Sequence, residues 1–501
     1  MHLKTPIRIT LAAILVFAGA VWSSCGKTTA ATAAPAASET QKLPITTKSE
    51  EARKEFLQGR DLSDRLLAHD SLQHFDKALA LDPDFASAEL ARANSSPTAK
   101  EFLEHQKKAV ALADKASEGE KLFILANEAA TNGQPAAQKQ YLDKLIAEYP
   151  SDERVQFTMG GYYFGQQNYD QAIEHYKKAT EIAPEYSSAY NLLGYSYRQR
   201  ADYSDAEQAF KKYIELIPND PNPYDSYAEL LLKMGRFEDS IAQYQKALSI
   251  DPHFNASHFG ISADLMYSGK PQDAAKELQL MADQARNDGE RRTAYFGMAV
   301  VASDNGKFEQ ALQAMDKEYA VAEKKNDVLA MSQDLQAKGN ILQQMHRYNA
   351  AAQAFDKSAQ MVEASTLPQQ IKDNAKLLRL FNVTSLEIAK NDVAGAKTDA
   401  QEFRQQAEAG SNPAQVKQAH ELAGRIALTG KDYDKAIAEL EQANSQNPRN
   451  FYWLAIAYRL KGDDAKSQEY LKKGAEFNSL PNLNYAFIRK EVQKDSSRKK
   501  A

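Results

Sequence analysis

The sequence predicts an all-α protein in which similar pairs of helices stack along the chain. Three prolines, Pro184, Pro218 and Pro252, follow one another at intervals of 34 residues. Between them, apolar residues recur three or four positions apart, as they do on one face of an α-helix. This apolar pattern is interrupted once in each interval, at residues 166–168, 200–202 and 234–236. Each interval is therefore predicted to hold two helices joined by a turn, and the fixed period indicates a repeat architecture.

The residue types within these units also return in phase. Gly160 and Gly194 occupy equivalent places in the first helix of successive units, and Ala172 and Ala206 occupy equivalent places in the second. Residues this small allow two helix backbones to approach closely, because no bulky side chain separates them. Each proline then ends the second helix, and the next unit begins.

A 34-residue unit with small residues at its eighth and twentieth places and a proline at its end resembles the tetratricopeptide repeat. The resemblance implies a right-handed α-solenoid of stacked helix–turn–helix repeats, nine or ten in number. We expect a 34-residue array at 51–285, longer divergent repeats at 286–410 and further repeats at 411–485. Neighbouring repeats would share one continuous core, so the chain length does not by itself predict the number of domains.

The first 24 residues have the features of a secretory leader, since Lys4 and Arg8 precede a long uncharged apolar run. Cys25, the only cysteine, follows at the place where bacterial lipoproteins carry their lipidated cysteine. This resemblance implies a lipid anchor, although Trp22 stands where an aliphatic residue is usual. The alternative is an ordinary cleaved leader with an incidental cysteine. Residues 25–50, rich in Ala, Thr, Ser and Pro, are predicted to form a flexible tether.

Two serine–glutamate pairs and the basic C-terminus carry further local predictions. Ser117 with Glu120, and Ser204 with Glu207, have the spacing of a capping box, in which each side chain bonds to the other residue's backbone amide. Residues 486–501 are rich in lysine and are predicted to be a disordered basic tail.

Side chains suited to catalysis or metal binding are plentiful but form no recognisable site. His420 and Glu421 lack the second histidine of a helical zinc motif. Gly160, Gly161 and Gly165 resemble a phosphate-binding loop only superficially, because they fall within a predicted helix and follow no strand. No GxSxG nucleophile motif is found. We therefore predict no enzymatic activity, no bound metal and no cofactor.

The candidate binding residues lie on the first helices of the clearest repeats, which in this family line the concave face. The resemblance implies that eight residues face the concave side: Phe157, Gly161, Phe164, Asn191, Tyr195, Arg198, Asp225 and Glu229. Aromatic rings beside polar groups suit an extended or helical peptide. The alternative is that these rings only pack against neighbouring helices. Some family members grip a carboxylate with paired lysine and asparagine, and the residues at those places here predict that this clamp is absent.

These features favour a non-enzymatic scaffold that binds peptides or proteins of the bacterial cell envelope. With a lipid anchor it would be attached to the membrane, at the periplasmic face of the outer membrane. Without one it would be periplasmic or secreted. The formal net charge of −5 argues against a nucleic-acid partner. Two alternatives remain open: an enzyme with its site in the irregular segments 86–116 or 377–409, and a ligand sensor built from the longer repeats at 287–368.

Overall fold

The computed structural model describes residues 42–497 apart from 66, 97 and 411, and every regular element in that part of the chain is a helix. The described chain forms two compact units, which meet in sequence between Pro223 and Tyr224. We call them the N-terminal unit and the C-terminal unit. Cys25 and the predicted leader lie outside the described residues, so the lipid anchor stays a prediction. No helix in the described ranges is both long and apolar enough to cross a bilayer.

The N-terminal unit contains five antiparallel helix pairs. In chain order its helices are α1 (Glu50–Asp64), α2 (Ala68–Leu81), α3 (Ala86–Asn94), α4 (Ala99–Leu112), α5 (Glu118–Thr131), α6 (Pro135–Glu148), α7 (Glu153–Gly165), α8 (Tyr169–Ile182), α9 (Ser187–Arg200) and α10 (Tyr203–Leu216).

The C-terminal unit contains seven helix pairs followed by two short helices. They are α11 (Pro221–Lys233), which begins just before the division, α12 (Phe237–Ile250), α13 (Asn255–Tyr267), α14 (Pro271–Asp283), α15 (Asp288–Asp304), α16 (Phe308–Lys324), α17 (Val328–Gln344), α18 (Tyr348–Glu363), α19 (Gln369–Ala389), α20 (Val393–Ala409), α21 (Pro413–Thr429), α22 (Tyr433–Leu440), α23 (Pro448–Lys461), α24 (Asp464–Ala475), α25 (Leu483–Ala486) and α26 (Arg489–Ser497).

This architecture confirms the all-α repeat solenoid and corrects the expected number of repeats. The described residues hold twelve hairpins, whereas the sequence suggested nine or ten. The segments with the least regular pattern, 86–112 and 369–409, also form helix pairs. The widened spacing after residue 285 comes from longer helices, because α15, α16 and α17 each contain 17 residues and α13 contains 13.

Small residues bring the two helices of a hairpin together, as the sequence predicts. A Cβ atom added at Gly160 would lie 2.6 Å from the ring of Tyr176, and one at Gly194 would lie 2.8 Å from the ring of Phe210. Both rings are fully buried. A side chain at either glycine would therefore force the second helix away from the first.

One predicted capping box forms and the other does not. The Ser117 hydroxyl accepts a hydrogen bond from the Glu120 amide, and Glu120 accepts one from the Ser117 amide at 3.2 Å. The prediction for Ser204 is wrong, because α10 begins two residues earlier than a Ser204 cap requires, at Tyr203, with Asp202 as its N-cap. Ser204 therefore lies inside the helix, and Glu207 pairs with Lys211 one turn later at 2.8 Å.

An extended segment, residues 42–49, lies against the N-terminal unit and differs from the flexible tether predicted there. We call it the strap. Its backbone amides donate to three carboxylates: Leu43 to Asp152 at the start of α7 (2.8 Å), Thr46 to Glu120 in the first turn of α5 (3.0 Å), and Lys48 to Asp82 at the end of α2 (2.9 Å). Leu43 also packs beside Tyr149 in the apolar core. Composition could not predict this docking, because the partners lie far away in the sequence.

The end of the C-terminal unit is likewise ordered, where the sequence predicted a disordered tail from residue 486. Arg489 is buried and donates to both carboxylate oxygens of Asp304 at 2.6 and 2.5 Å. The Tyr267 hydroxyl donates to the Ser479 carbonyl at 2.6 Å. Leu483 and Ala486 join the core around α13 and α15. The basic composition predicted disorder, but this segment is ordered because Arg489 has a buried carboxylate partner, Asp304.

We expect Arg489→Gln to lower the free energy of unfolding of the C-terminal unit by about 3 kcal/mol, because it leaves the Asp304 carboxylate buried without its cation. Urea unfolding followed by circular dichroism measures this. The matched control is Lys490→Gln, since Lys490 is exposed and makes one hydrogen bond of 3.2 Å to Asn305. An equal loss in both variants would show that the buried ion pair does not hold the C-terminus.

Asp264 on α13 is a buried carboxylic acid without a cation. Its side chain is 0% exposed, and neither carboxylate oxygen has a hydrogen-bond partner among the described residues. The neighbouring Ser240 hydroxyl donates instead to the Ala228 carbonyl at 2.9 Å. Burial raises the pKa of Asp264 from 3.8 to about 8. At neutral pH the folded protein therefore keeps a proton that the unfolded chain has already released.

This raised pKa predicts that the free energy of unfolding falls as the pH rises from about 4 to about 8. Below that window both states are protonated, and above it the folded state must bury a charge. Asp264→Asn removes the titrating group and should flatten this part of the profile. Denaturant unfolding at a series of pH values measures it, and parallel profiles for the two proteins would contradict the assignment.

Candidate functional site

The predicted binding residues of the N-terminal unit lie on the first helices of two adjacent hairpins. Phe157, Gly161 and Phe164 are on α7, and Asn191, Tyr195 and Arg198 are on α9. In each helix the three positions are four and then three residues apart, so they share one face. α7 and α9 are in contact. We call these six residues the α7–α9 strip.

The rings of Phe157 and Tyr195 pack against neighbouring aromatic rings. The Phe157 ring lies 5.6 Å from that of Tyr176 and 5.3 Å from that of Tyr186. The Tyr195 ring meets that of Phe210 edge-on at 5.2 Å. Phe157 and Tyr195 nevertheless stay half-buried. They therefore combine the packing role with a partly accessible aromatic surface, and their role in binding stays a prediction.

The other end of the strip combines a ring and a cation. Phe164 is half-buried and meets Tyr169 edge-on at 5.5 Å. The Arg198 guanidinium lies 4.6 Å from the centre of the Tyr195 ring. Burial raises the pKa of Tyr169 to about 12, and the nearby Arg198 offsets part of that rise. The positive charge is thus held in place against an aromatic ring at this end of the strip.

The strip also contains open space at Gly161 and two unsatisfied polar atoms. A Cβ atom at Gly161 would have only the Tyr176 hydroxyl within 4 Å, at 3.8 Å. That hydroxyl is buried and has no hydrogen-bond partner among the described residues. The same holds for Oδ1 of Asn191, whose side chain is 5% exposed. Buried polar atoms without partners are costly, so a ligand that supplied hydrogen bonds here would be favoured.

Sequence reasoning missed the residues that cover the start of the strip. The end of α1 reaches the first turns of α7 and α9, where Arg154 pairs with Asp64 and the Ser188 hydroxyl donates to the Asp64 carbonyl. Arg65 donates two hydrogen bonds to Asp220, at 2.8 and 2.7 Å. These contacts close one end of the strip. No local signal could have revealed them, since about 90 residues or more separate the partners.

The remaining two predicted residues belong to the C-terminal unit. Asp225 is buried and accepts a hydrogen bond of 2.7 Å from the Ser257 hydroxyl, which links α11 to α13. Glu229 is half-buried on α11. The five predicted side chains of the strip and these two acids thus lie in different units. The role of Asp225 within the C-terminal unit is to join neighbouring first helices.

Histidines in the described residues mostly join the two helices of a hairpin. His420 contacts Glu439 at 2.7 Å, and His258 contacts Glu277 at 2.5 Å. His175 contacts Gln156 at 2.8 Å. Within the described ranges, no group of three or more His, Cys, Asp or Glu side chains is placed to hold a metal ion. Gly160, Gly161 and Gly165 lie within α7, as the sequence predicts.

Stacked hairpins with an exposed face on their first helices define a helical repeat protein of the interaction type. Residues 151–219 match a family model for the tetratricopeptide repeat, and residues 222–254 and 418–450 match another model for the same repeat. The chain therefore contains tetratricopeptide repeats, as its residues predict. Repeats of this type support a role as a protein-interaction scaffold.

Several solved structures resemble parts of the chain. MamA residues 41 to the end from Desulfovibrio magneticus RS-1 is 17% identical with a TM-score of 0.30, covering 34% of this chain and 97% of that one. Another MamA structure is 22% identical with a TM-score of 0.28, covering 32% and 94%. YrrB, described as a TPR protein with an unusual peptide-binding site, is 18% identical with a TM-score of 0.25, covering 36% and 91%. Likeness at this level carries no argument about function. No curated protein matches the chain.

The two neighbouring glycines of α7 should respond differently to alanine. Gly160→Ala places a methyl group against the Tyr176 ring and should lower the free energy of unfolding by about 1–3 kcal/mol. Gly161→Ala meets no such contact and should raise it by about 0.5–1 kcal/mol, because alanine favours the helix. Denaturant unfolding of both variants measures this. Equal effects would contradict the assignment of Gly160 to the helix interface and Gly161 to the open face.

Proposed function

We propose that this protein is a non-enzymatic scaffold of the bacterial cell envelope that binds an extended peptide segment of a partner protein along the α7–α9 strip. Cys25 would carry the lipid that holds it to the membrane, on the periplasmic face of the outer membrane. The peptide would lie across the first helices of the hairpins, as a ligand does on the concave face of a repeat stack.

The observation that carries the proposal is the open space at Gly161 beside the buried Tyr176 hydroxyl, together with Oδ1 of Asn191 near the start of α9; neither polar atom has a partner among the described residues. The Tyr176 hydroxyl can donate to a peptide carbonyl, and Oδ1 of Asn191 can accept from a peptide amide. These are the two groups that any extended backbone offers. The half-buried rings of Phe157 and Phe164 supply apolar contact on either side along α7.

The Arg198 cation favours a carboxylate on the bound peptide. It lies at the end of the strip opposite Asp64 and Arg154, whose contacts close the start. A peptide would therefore enter beside Arg198, with an acidic side chain or its terminal carboxylate next to the guanidinium. This geometry also explains why a lysine–asparagine clamp is not needed to fix the direction of the peptide.

The continuity of the helices supports a scaffold over an enzyme hidden in the irregular segments. Segment 86–116 forms α3 and α4, and segment 377–409 continues α19 and α20. Both are used to build hairpins. The longer repeats at 287–368 are likewise ordinary hairpins with longer helices.

The test is a crosslinking pull-down from the native membranes with the full chain and its Gly161→Trp variant. The indole would fill the open part of the strip without entering the hairpin core, so the partner should be lost while the fold is kept. Arg198→Ala should weaken the same partner. The matched control is Lys466→Trp at an exposed site on α24, which should capture the partner as the unmodified chain does. Capture of the same proteins by all four chains would refute the strip as the binding site.

The anchor is tested separately, with Cys25→Ser. The unmodified chain should incorporate labelled palmitate and fractionate with the outer membrane, whereas the serine variant should incorporate none and appear in the soluble periplasmic fraction. Incorporation by neither chain would favour a cleaved leader and a periplasmic or secreted protein. This outcome would leave the strip untouched, so the two parts of the proposal can fail independently.

A further inference from the structure

A second polar cleft, unrelated to the α7–α9 strip, lies wholly within the C-terminal unit. It has a volume of about 230 Å³ and opens between the last turns of α17, α19 and α21 and the first turns of α23. Ile388 and Leu428 form apolar walls, while Arg425, Arg449 and Trp453 line the cationic side. Clefts that hold drug-sized ligands have about 300–1,000 Å³, so this one suits a smaller group.

Two guanidinium groups share one indole ring in this cleft. The Arg425 guanidinium lies 4.4 Å from the centre of the Trp453 ring, and that of Arg449 lies 5.1 Å from it. Arg425 is 7% exposed. Two like charges held this close repel each other, and the indole offsets only part of that repulsion. The arrangement therefore carries an excess of positive charge.

Among the described carboxylates, Glu421 stabilises the charge of both arginines but forms a salt bridge only with Arg425. Arg425 donates to Glu421 at 3.4 Å and to the Ser385 hydroxyl at 3.0 Å. The other oxygen of Glu421 is held by the Asn447 amide at 3.0 Å. Arg449 forms no salt bridge with any described residue, and its Nε atom is buried without a hydrogen-bond partner there. No acidic side chain of the described chain lines the cleft.

The protonation behaviour of the two arginines agrees with this excess of charge. Burial, together with the neighbouring Arg425, lowers the pKa of Arg449 to about 10. Burial also lowers the pKa of Arg425. The charged form of each guanidinium is thus less stable in the protein than in water. An anion bound in the cleft would stabilise both charged forms. Removing water from a cation without a partner is costly, so a site of this kind favours a counter-charge.

We propose that this cleft binds an oxyanion group of a small ligand, a phosphate or a carboxylate, between Arg449 and Arg425. The guanidinium fork matches the oxygen spacing of both groups and can donate two parallel hydrogen bonds. Ile388 and Leu428 would contact a short apolar part of the ligand. The cleft shares no residue with the α7–α9 strip and belongs to the other unit. The proposal of an oxyanion site therefore does not depend on the proposed peptide binding.

The sequence supplies its own reporter for the test. The chain has two tryptophans, Trp22 and Trp453, so the tryptophan emission of the full chain carrying Trp22→Phe comes from the cleft alone. Sodium phosphate and sodium acetate are titrated separately at constant ionic strength, with sodium chloride making up the balance. We expect a saturable change in Trp453 emission for at least one of the two anions, with a dissociation constant below about 1 mM. Saturation by only one of them would identify the group that the cleft prefers.

Arg449→Gln in the same background should weaken that binding by about tenfold or more, because it removes both the charge and the fork. The matched control is Lys461→Gln, which removes a charge from the same helix at an exposed residue paired with Asp434. Should the glutamine variant fail to fold by circular dichroism, Arg449→Lys keeps the charge without the fork and should still bind more weakly. A response to neither anion, or equal affinity in the Arg449 variant and the control, would overturn the proposal.

Discussion

The close approach of a small residue on one helix to an aromatic ring on the next is the contact on which each regular hairpin depends. Without a side chain at the small position, the ring fits directly onto the helix backbone, and the distance between the two helices is set. The next hairpin then packs on a surface of defined shape. The same contact occurs in four glycine hairpins of the described chain: Gly59 with Phe75, Gly160 with Tyr176, Gly194 with Phe210, and Gly339 with Phe355.

A stack of repeats has two ends that no neighbour covers, and each unit uses a non-repeat segment in its own packing. In the N-terminal unit the strap donates backbone hydrogen bonds to carboxylates at the starts of α5 and α7 and at the end of α2. In the C-terminal unit, residues 477–492 return to α13 and α15 and bury the Arg489–Asp304 pair. These contacts join residues that are distant in the sequence, in a fold whose other contacts are mainly between neighbours.

The buried arginines of the C-terminal unit differ in whether they have a carboxylate partner, and this difference distinguishes a structural role from a candidate role in binding. Arg489 donates two hydrogen bonds to the Asp304 carboxylate. Arg292 likewise donates two to Asp334, at 2.9 and 2.8 Å, and Glu318 lies beside it. Such pairs fix neighbouring helices. Arg449 has no such partner among the described residues, although it is held against Trp453. The protein holds this charge in place without a salt bridge. An anionic ligand bound there would supply the missing counter-charge.

The sequence by itself determined the helices, the hairpin period and the glycine contacts, because these depend on residues within one repeat and follow the 3.6-residue helical period. It also placed five candidate side chains on two adjacent helices. Only the tertiary structure decided the number of hairpins, the docking of the strap, the ordered C-terminus and the pairing of Arg425 with Arg449 at Trp453. Those features depend on contacts between residues far apart in the chain, and such contacts leave no periodic signal.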